Sequence, residues 1–232
     1  GDYSLRNAVD VGLGMNPAIR TAEFAPVGSN LGRVWSFSPG PLAQGADISA
    51  YELANNPLGG AVDSNPFHMA AIGNDLLITD AGSNTLLRVD RTNGTVSLVV
   101  AFPGRFIGPP VPSSDAVPTG VTVGPDGNFY VAELTGFPFT PGAARIYKVT
   151  PPGAVTIAYE GLTSMSDTAF GKDGSLYVLQ ADSNGLATPG GSGQLIRVGP
   201  GGKRSTVLEG LVVPTGLEIG VDGKLYVSNF SP

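Results

Sequence analysis

A motif that recurs along the chain places ionisable side chains where its other copies carry glycine. In "SNPFHMAAIGNDLLITD", "VPTGVTVGPDGNFYVAE", "SDTAFGKDGSLYVLQ" and "VPTGLEIGVDGKLYVSN", the residues His68, Gly120, Asp167 and Gly216 occupy one slot. An imidazole or a carboxyl group in place of glycine could bring acid/base chemistry to that slot. The competing reading is structural: His68 fills space with a hydrogen bond, and Asp167 caps a neighbouring backbone amide. A second set closes the motif: Asp80, Glu133, Gln180 and Asn229. Gathered round one axis, these four would form a polar ring with two carboxylates, able to hold calcium, another divalent cation or a hydroxylated ligand. Against this, Asp or Asn at the end of a strand often bonds the backbone of the adjoining loop. His68 is the single histidine and cysteine is absent, so neither several imidazoles nor thiolates can gather round a metal. The Gly-x-Ser-x-Gly, His-Glu-x-x-His and phosphate-loop patterns are also missing from the sequence.

The elements that would position these residues follow from the motif. Each copy is an apolar run, a turn and a second apolar run, with Asp-Gly in the turn and Tyr-Val in the second run of all but the looser copy at 67–80, and Asp-Gly between two such runs marks a β-hairpin of type I′. The copy at 67–80 is about one residue shorter. After a Gly-rich loop come "NTLLRVDR", "AARIYKVT" and "GQLIRVGP", which alternate apolar and polar positions, followed by a fourth run in each unit. The spacings between the equivalent positions 68, 120, 167 and 216 are 52, 47 and 49 residues. Four-stranded units of about 40–50 residues predict the blades of a β-propeller, an all-β fold of antiparallel sheets packed radially. With 34 Gly and 20 Pro the chain has no long run of helical period; the best helical turn is Ser49–Asn56, which could equally be an outer strand.

Composition bounds the partners. A 41% hydrophobic content separates the chain from disordered tails, and 232 residues can form one all-β domain. The net charge of −6, without a basic patch, argues against nucleic acid as the main partner. No apolar stretch reaches the 18 residues of a membrane span.

The stretches "SNPFHMAAIGNDLLITDAG", "VPTGVTVGPDGNFYVAELTGFPFTPGAARIYKV" and "LATPGGSGQLIRV" resemble the ScyD/ScyE family, and "AELTGFPFTPGAARIYKV" is the most specific of them. The resemblance runs from near Ala8 to Asn229, and more distantly touches NHL-like and gluconolactonase-like propellers. It implies a six-bladed propeller, usually exported and thus secreted, periplasmic or extracellular, without a settled biochemical activity. On that expectation residues 1–63 supply part of a blade through "NAVDVGLG" (Asn7–Gly14), "GRVWSFS" (Gly32–Ser38) and "ADISAYE" (Ala46–Glu52). Residues 64–116, 117–163 and 164–212 then form full blades, and 213–232 contribute two strands of another. About seventeen strands result where the family implies twenty-four, so the propeller is incomplete in this chain. Further strands, or another chain, would complete it; the alternative is a five-bladed ring closed by the first three strands and the last two.

For function, the residues and the resemblance together favour a propeller scaffold that binds a protein partner or a small ligand at the channel mouth, or serves as a structural subunit of an extracellular assembly, with no catalytic residue assigned. Phe137 and Phe139, on the Pro-bounded loop "LTGFPFTPG", would offer an aromatic contact there, unless the loop tucks its rings beneath itself. Phe106 and Ile107 are expected to anchor the long crossover 101–118, and Trp35, Tyr130, Tyr177 and Tyr226 to pack blade against blade. The alternative is a gluconolactonase-like hydrolase or isomerase. Such enzymes hold a divalent metal partly through residues just before the glycine slot, but here Phe67, Thr119, Ser166 and Thr215 stand there, none a strong ligand. No cofactor is assigned with certainty, and calcium or another divalent ion is the one to test.

Overall fold

The computed structural model describes residues 8–9, 33–36 and 43–230, with side chains from residue 45 onward. The chain forms two compact units, Gly1–Ala101 and Phe102–Pro232. In the first unit, β1 (Ala8–Val9), β2 (Arg33–Ser36) and β3 (Ala43–Asp47) make a three-stranded antiparallel sheet. The chain then turns into a helix, α1 (Ile48–Asn55), so the expected strand Ala46–Glu52 ends at Asp47 instead. The reason is local. Asp47 is an N-cap whose carboxylate accepts the Ala50 amide, and Asn56 closes the helix in the left-handed conformation with its N–H on the Glu52 carbonyl. The rest of "NAVDVGLG" and the Trp35 side chain lie outside the described residues.

A four-stranded antiparallel sheet follows in the same unit: β4 (Pro66–Ile72), β5 (Asp75–Asp80), β6 (Thr85–Asp90) and β7 (Val96–Ala101), paired in chain order. Ala46 and Ile48 join Leu76, Ile78, Leu87 and Val89 in one buried cluster, so α1 and the end of β3 cover a face of this sheet.

The second unit repeats that sheet twice and adds a hairpin. The first repeat is β8 (Pro118–Val123), β9 (Phe129–Glu133), β10 (Ala144–Val149) and β11 (Val155–Leu162). The second is β12 (Met165–Phe170), β13 (Leu176–Gln180), β14 (Gly193–Val198) and β15 (Arg204–Leu211), and the hairpin is β16 (Gly216–Ile219) with β17 (Leu225–Ser228). The outer strand is the most exposed of each sheet: β9, a second strand, is buried throughout, whereas the outer strand β15 is exposed except at Leu211. Neighbouring sheets share cores. Tyr130, Ala132 and Ile146 pack with Met165, Leu176 and Val178, and Leu179, Leu195 and Leu211 pack with Leu217. The inner strands β8, β12 and β16 lie side by side in succession. Within this unit the sheets pack as propeller blades do, and the described residues of the two units hold seventeen strands.

The Asp-Gly turns are present but of another type than expected. Gly127, Gly174 and Gly223 have φ of 76°, 75° and 80°, whereas the preceding Asp residues stay at negative φ. Hydrogen bonds Gly127 N to Gly124 O and Gly124 N to Asn128 O enclose a three-residue loop, a type I turn closed by a glycine bulge, not the type I′ turn. Each Asp instead accepts the amide two residues on (Asn128, Ser175, Lys224) at 3.1 Å. The first hairpin uses a two-residue loop led by Gly73 at φ 55°, with Ile72 paired to Asp75, which accounts for its shorter length.

Candidate functional site

The polar sequence-derived candidates sit at one end of their hairpins, opposite the turns, where the inner strand begins and the second strand ends, and Phe137 and Phe139 lie on the loop that follows β9. A bulge marks that end in each full sheet: Pro66 pairs with Asp80 but His68 with Thr79, and Met165 pairs with Gln180 but Asp167 with Leu179. The extra residue carries a hydroxyl in the second unit. Thr119 Oγ1 donates to the Met165 carbonyl at 2.8 Å and Ser166 Oγ to the Leu179 carbonyl at 3.3 Å. These hydroxyls are tied to backbone carbonyls.

Asp80 is fully buried and accepts four hydrogen bonds. Ser64 Oγ reaches Oδ2 at 2.7 Å, and the amides of Asn65 (2.7 Å), Gly82 (3.1 Å) and Ser83 (3.1 Å) converge on Oδ1. Burial raises its pKa, and these four donors pull the other way. The side chain thus clamps the segment before β4 to the loop after β5. Gln180 Oε1 does the same for the Thr163 amide at 2.8 Å, and Asn229 Oδ1 for the Val212 amide at 2.7 Å. A backbone bond runs beside each clamp: Ala81 N to Asn65 O, Ala181 N to Ser164 O and Phe230 N to Val212 O.

Glu133 occupies the same strand-end position but turns to a different set of donors. It accepts Arg105 Nη2 at 2.7 Å, the Arg145 amide at 2.9 Å and the Tyr147 hydroxyl at 2.8 Å. Burial pushes its pKa up and the Arg105 guanidinium pulls it back, while burial and the neighbouring carboxylate push Tyr147 up to about 12. Arg105 also donates to the Ala143 carbonyl at 2.6 Å, and Phe102 stacks on Tyr147 with 4.8 Å between ring centroids. Phe102 and Arg105 therefore anchor the crossover loop. Phe106, expected in that role, is 67% exposed. The sequence signal for this pair was an arginine inside an otherwise apolar, Pro-rich insert, facing a buried glutamate at a position that elsewhere carries Asp, Gln or Asn.

Asp167 is buried and joins two sheets. Its Oδ1 accepts the Thr168 amide and its Oδ2 the Leu217 amide of β16, both at 2.7 Å. The slot explains the glycine on its other side. A Cβ at Gly120 would stand 2.7 Å from the Asp167 Cα and from the Thr168 amide nitrogen, so only glycine lets β8 approach β12 this closely. His68 is half-buried, and its backbone N–H and C=O both engage Thr79 Oγ1, at 3.2 and 3.3 Å. Phe137 is 56% exposed and Phe139 half-buried; their rings meet edge to face at 6.4 Å. Phe139 folds back against Gly185, where even a Cβ would collide with its carbonyl oxygen. Tyr130 packs edge to face on Phe170 of the next sheet at 4.8 Å, and Tyr177 lies against the cluster around Leu217.

A calcium ion needs six or more oxygen ligands with free lone pairs. Both carboxylate oxygens of Asp80, of Glu133 and of Asp167 already accept protein N–H or O–H groups, so a cation there would share or displace those donors. Among the described residues no three His, Asp or Glu side chains form a group that could hold a metal ion. Nor, among them, is any helix long and apolar enough to cross a membrane.

The sequence reading missed an acidic group in the first unit. Glu52, on α1, is only 3% exposed, its Oε2 has no hydrogen-bond partner, and burial together with Asp80 and Asp63 raises its pKa to about 7. No pattern marks it, because it lies outside the repeat.

No protein-family profile matches the chain, and no curated protein matches it. Solved structures do. Virginiamycin B lyase from Staphylococcus aureus, in a catalytically inactive form with quinupristin, aligns over 84% of this chain and 55% of its own, at 17% identity and a TM-score of 0.53. The nidogen/laminin complex aligns over 85% of this chain and 64% of that chain, at 15% identity and a TM-score of 0.59. XC5397 from Xanthomonas campestris, a gluconolactonase, aligns over 76% and 61%, at 19% identity and a TM-score of 0.50. The chain therefore spans just over half to under two thirds of the length of these relatives. They include enzymes and a binding complex alike, and what they share with this chain is its architecture: an all-β propeller of four-stranded antiparallel blades.

Proposed function

We propose that this chain is a non-catalytic propeller scaffold of the ScyD/ScyE type, exported from the cell, that binds a protein partner or a small ligand. The observation that carries this reading is the fate of the polar side chains at the blade ends. Catalytic carboxylates need an oxygen free to meet substrate, metal or water. Those of Asp80, Glu133 and Asp167 instead accept backbone amides, hydroxyls or a guanidinium on both oxygens, which is the work of holding strands and loops together. Phe137, exposed beside Phe139, is the aromatic surface this scaffold offers to a partner.

The test is a turnover assay on simple lactones with calcium, magnesium and zinc each supplied in excess. The expected result is hydrolysis no faster than in buffer. Metal-dependent turnover that disappears in Asp167→Asn or Glu133→Gln, with the fold retained by circular dichroism, would show a gluconolactonase-like enzyme and overturn the proposal.

A further inference from the structure

The loop between β9 and β10 holds two non-glycine residues in the left-handed region, Thr135 at φ 70° and Phe139 at φ 57°. For a β-branched threonine this conformation is costly, and it persists only where surrounding contacts impose it. Here they do. The amides of Thr135 and Gly136 donate to the Ala116 and Asp115 carbonyls at 3.1 and 2.9 Å, and the Phe139 amide closes the loop on the Gly136 carbonyl at 2.9 Å. What the strained loop fixes is the position of Phe137. Its ring is exposed and stands at 87° to that of Phe139, so the two rings form adjoining walls of a corner.

An acid lies beside this corner. A Cβ on Gly136 would stand 3.6 Å from the Asp115 Cβ, and one on Gly104 would stand 3.4 Å from the Asp115 Oδ1. Asp115 is exposed, and among the described residues its carboxylate takes part in no ion pair. Two residues past Gly104, Phe106 is exposed as well. Arg105, between them in sequence, is turned to Glu133 and the Ala143 carbonyl, so its charge is already matched. Exposed phenylalanines from two loops thus flank one unpaired carboxylate.

We propose that this corner binds the quaternary ammonium group of a small molecule, its methyl groups against the rings of Phe137 and Phe139 and its charge toward Asp115. The rings attract a cation through their quadrupoles, and the carboxylate supplies the counter-charge. A metal ion or a primary ammonium is disfavoured there, because one carboxylate and apolar walls cannot replace the water it would lose. A trimethylammonium head is weakly hydrated and broad enough to touch both walls. The proposal rests on the scaffold reading above for the place where a ligand sits. Lactone turnover would overturn that reading, whereas this site is judged by its own ligand.

The test follows the amide signals of the isotopically labelled chain by NMR during titration with choline and with neohexyl alcohol, its neutral carbon analogue. The expected result is saturable shifts at Gly136, Phe137 and Phe139 with choline, and binding about two- to fivefold weaker for the alcohol. Phe137→Leu keeps an apolar side chain without a ring, and should weaken choline by about two- to fivefold. Asp115→Asn should weaken it by about two- to threefold, as for an exposed charge pair. Both positions are exposed, so the signals of the blade strands should stay in place in either variant. Equal binding of choline and the alcohol, shifts confined to residues outside 135–139, or wild-type affinity in Phe137→Leu would overturn the proposal. So would a trimethyl-lysine peptide that binds at least about tenfold tighter than choline, since the group would then belong to a protein.

Discussion

Asp80→Ala costs the first unit about 3–5 kcal/mol, read from urea unfolding at neutral pH. The carboxylate is the common acceptor for one hydroxyl and three amides, all in or next to buried backbone. Removing it leaves the Asn65, Gly82 and Ser83 amides without a partner, at about 1–3 kcal/mol for each buried donor left unpaired. Part of that is returned because a buried charge is also removed, which is why the sum stays below the simple total. Asp80→Asn separates geometry from charge. Its oxygen can keep the three amides, and Ser64 can turn its hydroxyl round to accept from the new NH2 group, so its cost stays under about 1.5 kcal/mol. Equal and large losses in both variants would mean that the charge itself is needed, as a bound cation would require.

Glu52→Gln works in the opposite direction and depends on pH. In the folded chain burial and the carboxylates of Asp80 and Asp63 raise Glu52 to about 7 from an ordinary value of 4.5. The last turn of α1 holds no basic residue, and its carbonyl ends disfavour a negative charge. Between those two values the unfolded chain has released the proton and the folded chain still holds it. Stability therefore falls as pH rises from 4.5 to 7, by up to about 3 kcal/mol, and stays reduced above that. Glutamine mimics the protonated acid and can donate to the neighbouring carboxylates. Wild type and Glu52→Gln should then unfold at similar urea concentrations at pH 4, while at pH 8 the variant is the more stable by up to about 3 kcal/mol. A pH-independent difference would remove Glu52 as the titrating group.

The repeat was legible because hairpin chemistry is local. Gly-x-Asp-Gly turns, β-branched runs and Tyr at a fixed offset give strand ends to within a residue or two, and the four-strand unit follows from their spacing. What a dipeptide could not settle was the turn type, because a type I turn with a glycine bulge and a type I′ turn both place glycine at positive φ; they differ in loop length and in the Asp backbone. The helix α1 was ambiguous for a related reason: "ADISAYELANN" alternates well enough for a strand, and the capping bonds of Asp47 and Asn56 decide.

At the blade ends, sequence placed Asp80, Glu133, Asp167, Gln180 and Asn229 correctly at strand termini and inner-strand slots but left open what each touches. The partners come from residues about 15–50 positions away: Asn65 for Asp80, Thr163 for Gln180, Arg105 for Glu133, Leu217 for Asp167. The Asp167 pairing depends on how one blade seats on the next and the Glu133 pairing on the crossover loop, and no periodicity within a blade encodes those two. Arg105 and Phe102 were missed in favour of Phe106 because hydrophobicity ranks side chains by type, whereas anchoring here depends on reach to one buried carboxylate and one tyrosine ring.

The claim beneath these readings is that the carboxylates at the blade ends are already spoken for by the protein's own N–H and O–H groups. A crystal structure grown in excess calcium, at a resolution that separates a cation from water, tests it most directly. The account predicts Asp80 on the Asn65, Gly82 and Ser83 amides and Glu133 on Arg105 and Tyr147, with calcium confined to exposed surface. A cation seated about 2.3–2.6 Å from the Asp80 or Glu133 oxygens, with those amides or Arg105 displaced, would contradict it.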